Sequence, residues 1–267
     1  MLPETQIIAE QRVTFTPTLG PTLVPHKPVY TTLSIIVPVF NERLTVMPLL
    51  QSVMQQDVGG LAKELIIVDD FSTDGTREFL QEMDLQDLFE RDGDTVKLLL
   101  HDKNKGKGAA VRTALEQCTG EVVLMQDADL EYDPKDYPDL LKPILDGRAD
   151  AVFGNRFHDG SHCVPRFYRY VFNRCFSIVC NLLTNLALRD VTACYKVFKR
   201  DLFNKITLKS DRFSFETEVT VKLAKIGARI YEVPIVYHGR TYAEGKKISW
   251  KDGVVAVYHL IRYRMAD

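Results

Sequence analysis

Short, largely apolar runs recur through the first half of the chain, at residues 33–37, 65–68, 96–100 and 122–125. Each is long enough for a strand and too short for a helix, and runs of this kind are typical of strands covered on both faces. Between the first two lies a segment, 44–56, whose apolar residues Leu44, Met47, Leu50, Val53 and Met54 fall at helical spacing. Pro38 is expected to stop the first strand. The turn Asp74-Gly75-Thr76 opens a second helix over 77–83, with Asp74 or Ser72 as its cap. Gly106 and Gly108 precede a third, over 109–118. Strands alternating with helices predict a parallel α/β sheet.

The second half continues with a helix over 137–145, a strand over 151–154 and an aromatic-rich stretch over 165–188 that carries Arg166, Arg169 and Arg174. A further strand is expected over 191–198, then a helix from Phe215 through Ala224 ending near Gly227. Residues 229–237 contain Pro234 and read as an edge strand. An amphipathic helix near 250–263 closes the chain. Residues 1–30 hold five prolines and little periodicity, which predicts an extended arm.

Composition narrows the class. A chain of 267 residues, 45% hydrophobic, is ample for a large core. The net charge of −2 offers no basic field, so nucleic acid is not expected as a partner. The five cysteines are an odd number with no C-x-x-C pair, which fits a reduced cytosolic protein. No run approaches the roughly 18 apolar residues of a transmembrane helix. Glu4 and Glu10 near the N-terminus argue against a signal peptide.

Candidate chemistry lies where strands end. The run 122–125 leads into Asp127, Asp129 and Glu131. If the chain stays extended there, alternate residues point the same way and the three carboxylates converge. Such a set suits a hard divalent ion, Mg2+ or Mn2+; the alternative is a solvated acidic loop. Glu42, Asp69 and Asp70 also fall at or just past strand ends, where ligands of parallel sheets sit. Gly106 and Gly108 fit neither a P-loop nor a dinucleotide fingerprint.

Four stretches taken in order carry a resemblance. They are Val37-Pro38-Val39-Phe40-Asn41-Glu42, Ile67-Val68-Asp69-Asp70-Phe71-Ser72-Thr73-Asp74-Gly75-Thr76, Asn104-Lys105-Gly106-Lys107-Gly108-Ala109-Ala110-Val111-Arg112 and Gln126-Asp127-Ala128-Asp129. With them the chain resembles the family-2 inverting glycosyltransferases of the GT-A fold, over roughly residues 33–250. Within that family it looks most like the dolichyl-phosphate mannose and glucose synthases and their bacterial polyprenyl-phosphate relatives. The resemblance implies a GT-A nucleotide-diphospho-sugar transferase fold, with a Rossmann-like, mostly parallel sheet flanked by helices. It divides the chain into the arm at 1–30, a catalytic domain at 31–245 and a C-terminal amphipathic helix at 246–267.

The resemblance also implies roles. Pro38, Val39, Asn41, Glu42, Asp69, Asp70, Lys107, Arg112, Asp127 and Ala128 would bind the donor. Asp127, Asp129 and Glu131 would hold the metal, although such synthases often carry Gln where Glu131 stands. Asp127, Asp129, Asp190 and Glu216 would form the catalytic set. Arg156, Arg169, Arg240 and Lys246 would take the acceptor phosphate, since arginine grips phosphate in bidentate fashion. Here Lys246-Lys247 follows Gly245 without the serine of the related pattern. The expected reaction moves a hexose from a UDP- or GDP-linked donor to a polyprenyl phosphate. A lipid phosphate is already anionic near neutral pH, whereas a hydroxyl acceptor, the alternative, needs a base such as Glu216 or Glu218. A sugar nucleotidyltransferase and a non-catalytic nucleotide-sugar module rank below both. The expected location is the cytoplasmic face of a membrane, peripherally bound through residues 165–188 and the C-terminal helix; a second copy of the chain is a further candidate partner, as a homodimer.

Overall fold

A computed structural model describes residues 28–88, 92–158, 164, 167–212, 214–240 and 250–266. The arm before residue 28 lies outside the described residues, as do Arg166, Gly245, Lys246 and Lys247. The fold is a seven-stranded sheet: β1 (Thr32–Val39), β2 (Ala62–Asp69), β3 (Thr95–Leu100), β4 (Val122–Met125), β5 (Ala151–Asn155), β6 (Lys196–Lys199) and β7 (Ile230–Pro234). Their spatial order is β3-β2-β1-β4-β6-β5-β7. The first four strands are parallel neighbours, β6 runs antiparallel between β4 and β5, and β7 pairs parallel with β5 at the edge.

Seven helices are described: α1 (Val46–Gln55), α2 (Thr76–Glu82), α3 (Lys107–Leu115), α4 (Tyr137–Leu145), α5 (Phe167–Thr184), α6 (Phe215–Lys225) and α7 (Trp250–Ala266). They cover both faces of the sheet, which explains why the middle of β1 and β2 (residues 35–37 and 65–68) and all of β4 are apolar on both faces. Alternate residues of β1 and β2 divide between two cores. Leu33, Ile35, Val37, Leu65 and Ile67 pack with Leu49 and Leu50 of α1 and Leu140 and Ile144 of α4. Ile36, Ile66 and Val68 pack on the other face with Ala110 and Val111 of α3, Phe176 of α5, Val219 of α6 and Leu260 of α7.

Two expectations are corrected here. β1 runs through Pro38 to Val39 rather than stopping. Its pairing with β4 ends at Ile36–Met125, so Pro38, lacking an N–H, lies beyond that ladder. The strand expected over 191–198 begins only at Lys196. The preceding residues form a loop that Lys196 folds, since its buried ammonium donates to the carbonyls of Val191 and Ala193.

Candidate active site

Because β2, β1 and β4 are parallel neighbours, the loops that follow them open on one edge of the sheet. Local hydrogen bonds join the first two loops. Asn41 sits at φ 51°, a left-handed conformation that Asn tolerates better than most residues. Its N–H donates to Ser72 Oγ (2.9 Å), and its Oδ1 accepts from the Thr73 N–H (2.8 Å). Asp74, offered as a helix cap, accepts from the Thr76 N–H at 3.1 Å and steadies the start of α2; Ser72 serves Asn41 instead. The Glu42 N–H donates to Thr76 Oγ1 (3.0 Å), and its carboxylate accepts from Thr45 Oγ1 (2.6 Å).

Two cations organise the acidic residues. Arg240, past the end of β7, lies among Glu42, Asp129 and Glu131. Its Nη2 is 2.8 Å from Asp129, its Nη1 is 3.2 Å from each Glu42 oxygen, and its Nε is 3.6 Å from Glu131. Lys107, the first residue of α3, lies 2.8 Å from Asp127 and 2.9 Å from Glu216 of α6, with Cys194 Sγ at 3.3 Å. Burial opposes the Lys107 charge, but Asp127 and Glu216 outweigh it and hold the ammonium well above the ordinary lysine range. Burial, then the charges of Asp127 and Glu131, push the Asp129 carboxyl up to about 7, while Arg240 pulls the other way.

Asp127, Asp129 and Glu131 therefore do not converge as an extended chain would bring them. Residues 128–131 form a turn and bend, with Leu130 at φ 57°, and Asp127 faces a different cation from Asp129 and Glu131. Among the described residues no group of three metal-ligating side chains stands ready around one point. The turn is anchored from beneath by Gln126, fully buried, whose Oε1 accepts from Tyr137 (2.8 Å) and Tyr195 (2.7 Å). Ala128 is buried beside it, and Pro38 and Val39 end the strand that carries Asn41 and Glu42.

Several expected site residues do other work. Asp70 accepts from the N–H groups of Lys105 (2.8 Å) and Gly106 (2.7 Å), with His101 Nδ1 at 2.7 Å, and so folds the loop before α3. Asp69 is fully buried, accepts from the Ser72 N–H (3.2 Å) and lies 3.7 Å from Arg77. Arg112 turns to the Ser210 carbonyl and the Asp211 carboxylate, so it is not brought to the Lys107 cluster. Gly106 and Gly108 permit a close approach, but from this chain's own backbone: a Cβ on Gly108 would stand 2.2 Å from the Ser210 oxygen. Glu218 binds the N–H groups of Lys209 and Ser210 and the ammonium of Lys222, which leaves Glu216 as the α6 carboxylate that faces the site.

The arginines separate too. Arg156 is held by Asp190 in two-point fashion (Nε 2.7 Å, Nη2 2.8 Å), donates to Thr192 Oγ1 (2.7 Å), and stacks at 5.0 Å from the Tyr237 ring. Asp190 is thereby the partner of Arg156, and the pair closes the loop before β6. Arg169 is partly exposed on α5 beside Tyr168. Sequence reasoning does not single out His101, Tyr237 or Cys194 as site residues. His101 was the most accessible to such reasoning, as a polar residue directly after an apolar run.

The sequence profile of Glycosyl transferase family 2 matches residues 34–207. Among similar proteins, glycosyltransferase AglJ of Haloferax volcanii is 31% identical over 230 residues, covering 85% of this chain and 70% of that protein. Dodecaprenyl-phosphate galacturonate synthase of Rhizobium johnstonii is 26% identical over 217 residues, covering 80% of this chain and 61% of that one. Among solved structures, glucosyl-3-phosphoglycerate synthase of Mycobacterium tuberculosis, in complex with Mn2+, UDP and glucosyl-3-phosphoglycerate, superposes with a TM-score of 0.64 at 19% identity. That match covers 87% of this chain and 80% of that one. The likeness establishes the GT-A architecture expected from the motifs.

Proposed function

The chain belongs to glycosyl transferase family 2 and is a transferase that uses a nucleotide sugar, and on that premise we propose that it moves a hexose from a UDP- or GDP-linked donor to a polyprenyl phosphate, with inversion and with a divalent ion. The observation that carries this reading is the concentration of Glu42, Asp127, Asp129, Glu131 and Glu216 at the carboxyl edge of β1 and β4, where Lys107 and Arg240 are the cations that pair with them among the described residues. A site that keeps this much negative charge is built to receive cations. The donor set fits Mg2+ or Mn2+ in its chemistry: all the ligands are oxygen, and the charges of Asp127 and Glu131 both act on Asp129. Asp127 and Asp129 are the residues that would hold the ion, with Glu131 beside them. When bound, it supplies charge neutralisation at the leaving diphosphate.

This chain's own groups supply the rest. The joined loops at Asn41 and Ser72, with Pro38 and Val39, are the groups proposed for the nucleoside, and Asp69 supports them from beneath through the Ser72 N–H. Lys107 offers an ammonium to the donor phosphates, steered by Asp127 and Glu216. Arg240, Arg169 and Lys246 are the groups proposed for the acceptor phosphate. Arg156, already bound by Asp190, contributes by holding the loop before β6 in place. The Rhizobium relative is named for a polyprenyl-phosphate product, which supports the lipid acceptor. So does α5, whose outward residues are apolar. No described helix is long and apolar enough to cross a membrane, so a lipid acceptor would be met at the surface, proposed here as its cytoplasmic face.

A second reading has one observation in its favour. Glu216 lies in the same cluster, 2.9 Å from Lys107, where a hydroxyl acceptor would need a base. Radiolabelled UDP- and GDP-sugars offered with polyprenyl phosphate or with soluble glycan acceptors, in parallel, separate the two. The proposal expects label in the lipid phase; label only in soluble glycan would replace it with the second reading.

A further inference from the structure

Arg156 and Arg240, both expected at the acceptor phosphate, are held by carboxylates in different ways. Arg156 meets Asp190 in a two-point pair at 2.7 and 2.8 Å, the arrangement in which a guanidinium and a carboxylate bind best. Arg240 instead spreads over three carboxylates from two loops; among the described residues only one of its guanidinium contacts is shorter than 3 Å, and its buried Nε has no hydrogen-bond partner. Its backbone is secured independently of its guanidinium. The Arg240 N–H donates to Glu131 Oε1 (2.8 Å), the Tyr237 hydroxyl donates to Glu131 Oε2 (2.8 Å), and the His238 N–H donates to the Glu131 carbonyl (2.8 Å). The segment 237–240 thus stays docked whether or not the side chain remains among the carboxylates.

We infer that Arg240 is a stand-in for the divalent cation, occupying the acidic cluster until metal arrives at Asp129 and being released by it toward the phosphates of the substrates. The inference rests on the metal-dependent reading above and deepens it. Two cations a few ångströms apart in a partly buried site repel strongly, so an ion at Asp129 and the guanidinium on the same carboxylate exclude one another. A released Arg240 keeps its backbone anchor and therefore remains beside the site, where its planar fork suits a phosphate. Cation and acceptor site are then coupled: the phosphate-binding arginine becomes available only once the metal is in place.

Mn2+ titration by calorimetry, without nucleotide, tests this on the wild-type chain and on Arg240→Gln. Removing a competing cation should tighten Mn2+ binding by about tenfold or more, the value of one charge-assisted contact. In the wild-type chain, the arginine Nε–Hε resonance that is absent from Arg240→Gln should move toward the free-arginine position on saturation with Mg2+. Unchanged or weaker Mn2+ affinity in Arg240→Gln, or a resonance that ignores Mg2+, overturns the inference while leaving the metal site standing. If the wild-type chain takes up no Mn2+ at all, the metal-dependent reading falls with it.

Discussion

Glu64 lies at the opposite end of β2 from the candidate site and ties four pieces of backbone together. Its carboxylate accepts from Ser34 of β1 (2.6 Å), Lys97 of β3 (2.7 Å) and both the N–H and hydroxyl of Thr119 (2.7 and 3.0 Å). Burial alone would raise its pKa; the bonds from Lys97, Ser34 and Thr119 outweigh burial and bring it down to about 2. Its folded value is below the unfolded one, so the stability it contributes is present above about pH 4.5 and is lost as the pH falls toward 2. Glu64→Gln should therefore cost on the order of 2–3 kcal/mol at pH 7 and much less at pH 3, read from urea unfolding at the two pH values. Equal losses at both would show that the charge is immaterial. At this scale the sequence was a partial guide. It marked Asp69 and Asp70 as acids at a strand end, and the resemblance marked Asp190; Asp69 meets Ser72 close by, but His101 and Arg156, the partners of Asp70 and Asp190, lie 31 and 34 residues away, and nothing local announces those pairings.

The element with the most conspicuous surface is α5. Phe176, Ser177 and Cys180 form its buried stripe, while Phe167 is 79% and Leu182 80% exposed, and Tyr168, Phe172 and Ile178 are also exposed. One apolar stripe is used by the core and a second is left outward, beside Arg169 and Arg174, a make-up suited to the headgroup region of a bilayer. α7 is similar in part, burying Leu260 and Tyr263 and exposing Tyr258, Ile261 and Met265. The chain is expected to co-sediment with anionic liposomes, less so as salt rises. Arg169→Glu should reduce that binding several-fold, and Phe167→Ser should weaken it without altering its salt dependence; sedimentation that none of these changes affects would assign the outward stripe to another partner. Among elements, β4 and α4 begin and end where the apolar pattern places them. β6 does not, because its register is set by antiparallel neighbours on both sides and by Lys196 folding the preceding loop, which no strand periodicity encodes.

Over the whole molecule, the alternation of apolar runs and helical segments was enough to read a parallel sheet with its ligand edge at the strand ends. The antiparallel β6, wedged between β4 and β5, was not readable, since an apolar run carries no direction. The same holds for the site. The carboxylates were legible as residues at strand ends, but their division between Lys107 and Arg240 depends on the turn at Leu130 and on a segment more than a hundred residues later. The Asp127–Asp129 turn is proposed above as the metal-dependent seat of a nucleotide sugar. Calorimetric titration of UDP and GDP into the wild-type chain and Asp129→Ala, each with Mn2+ and with chelator, tests it most directly. The expected result is Mn2+-dependent binding of one nucleotide to the wild-type chain, abolished by chelator and by Asp129→Ala while the variant keeps its far-ultraviolet circular dichroism. Nucleotide affinity that is the same in the variant as in the wild-type chain, with and without chelator, would contradict it.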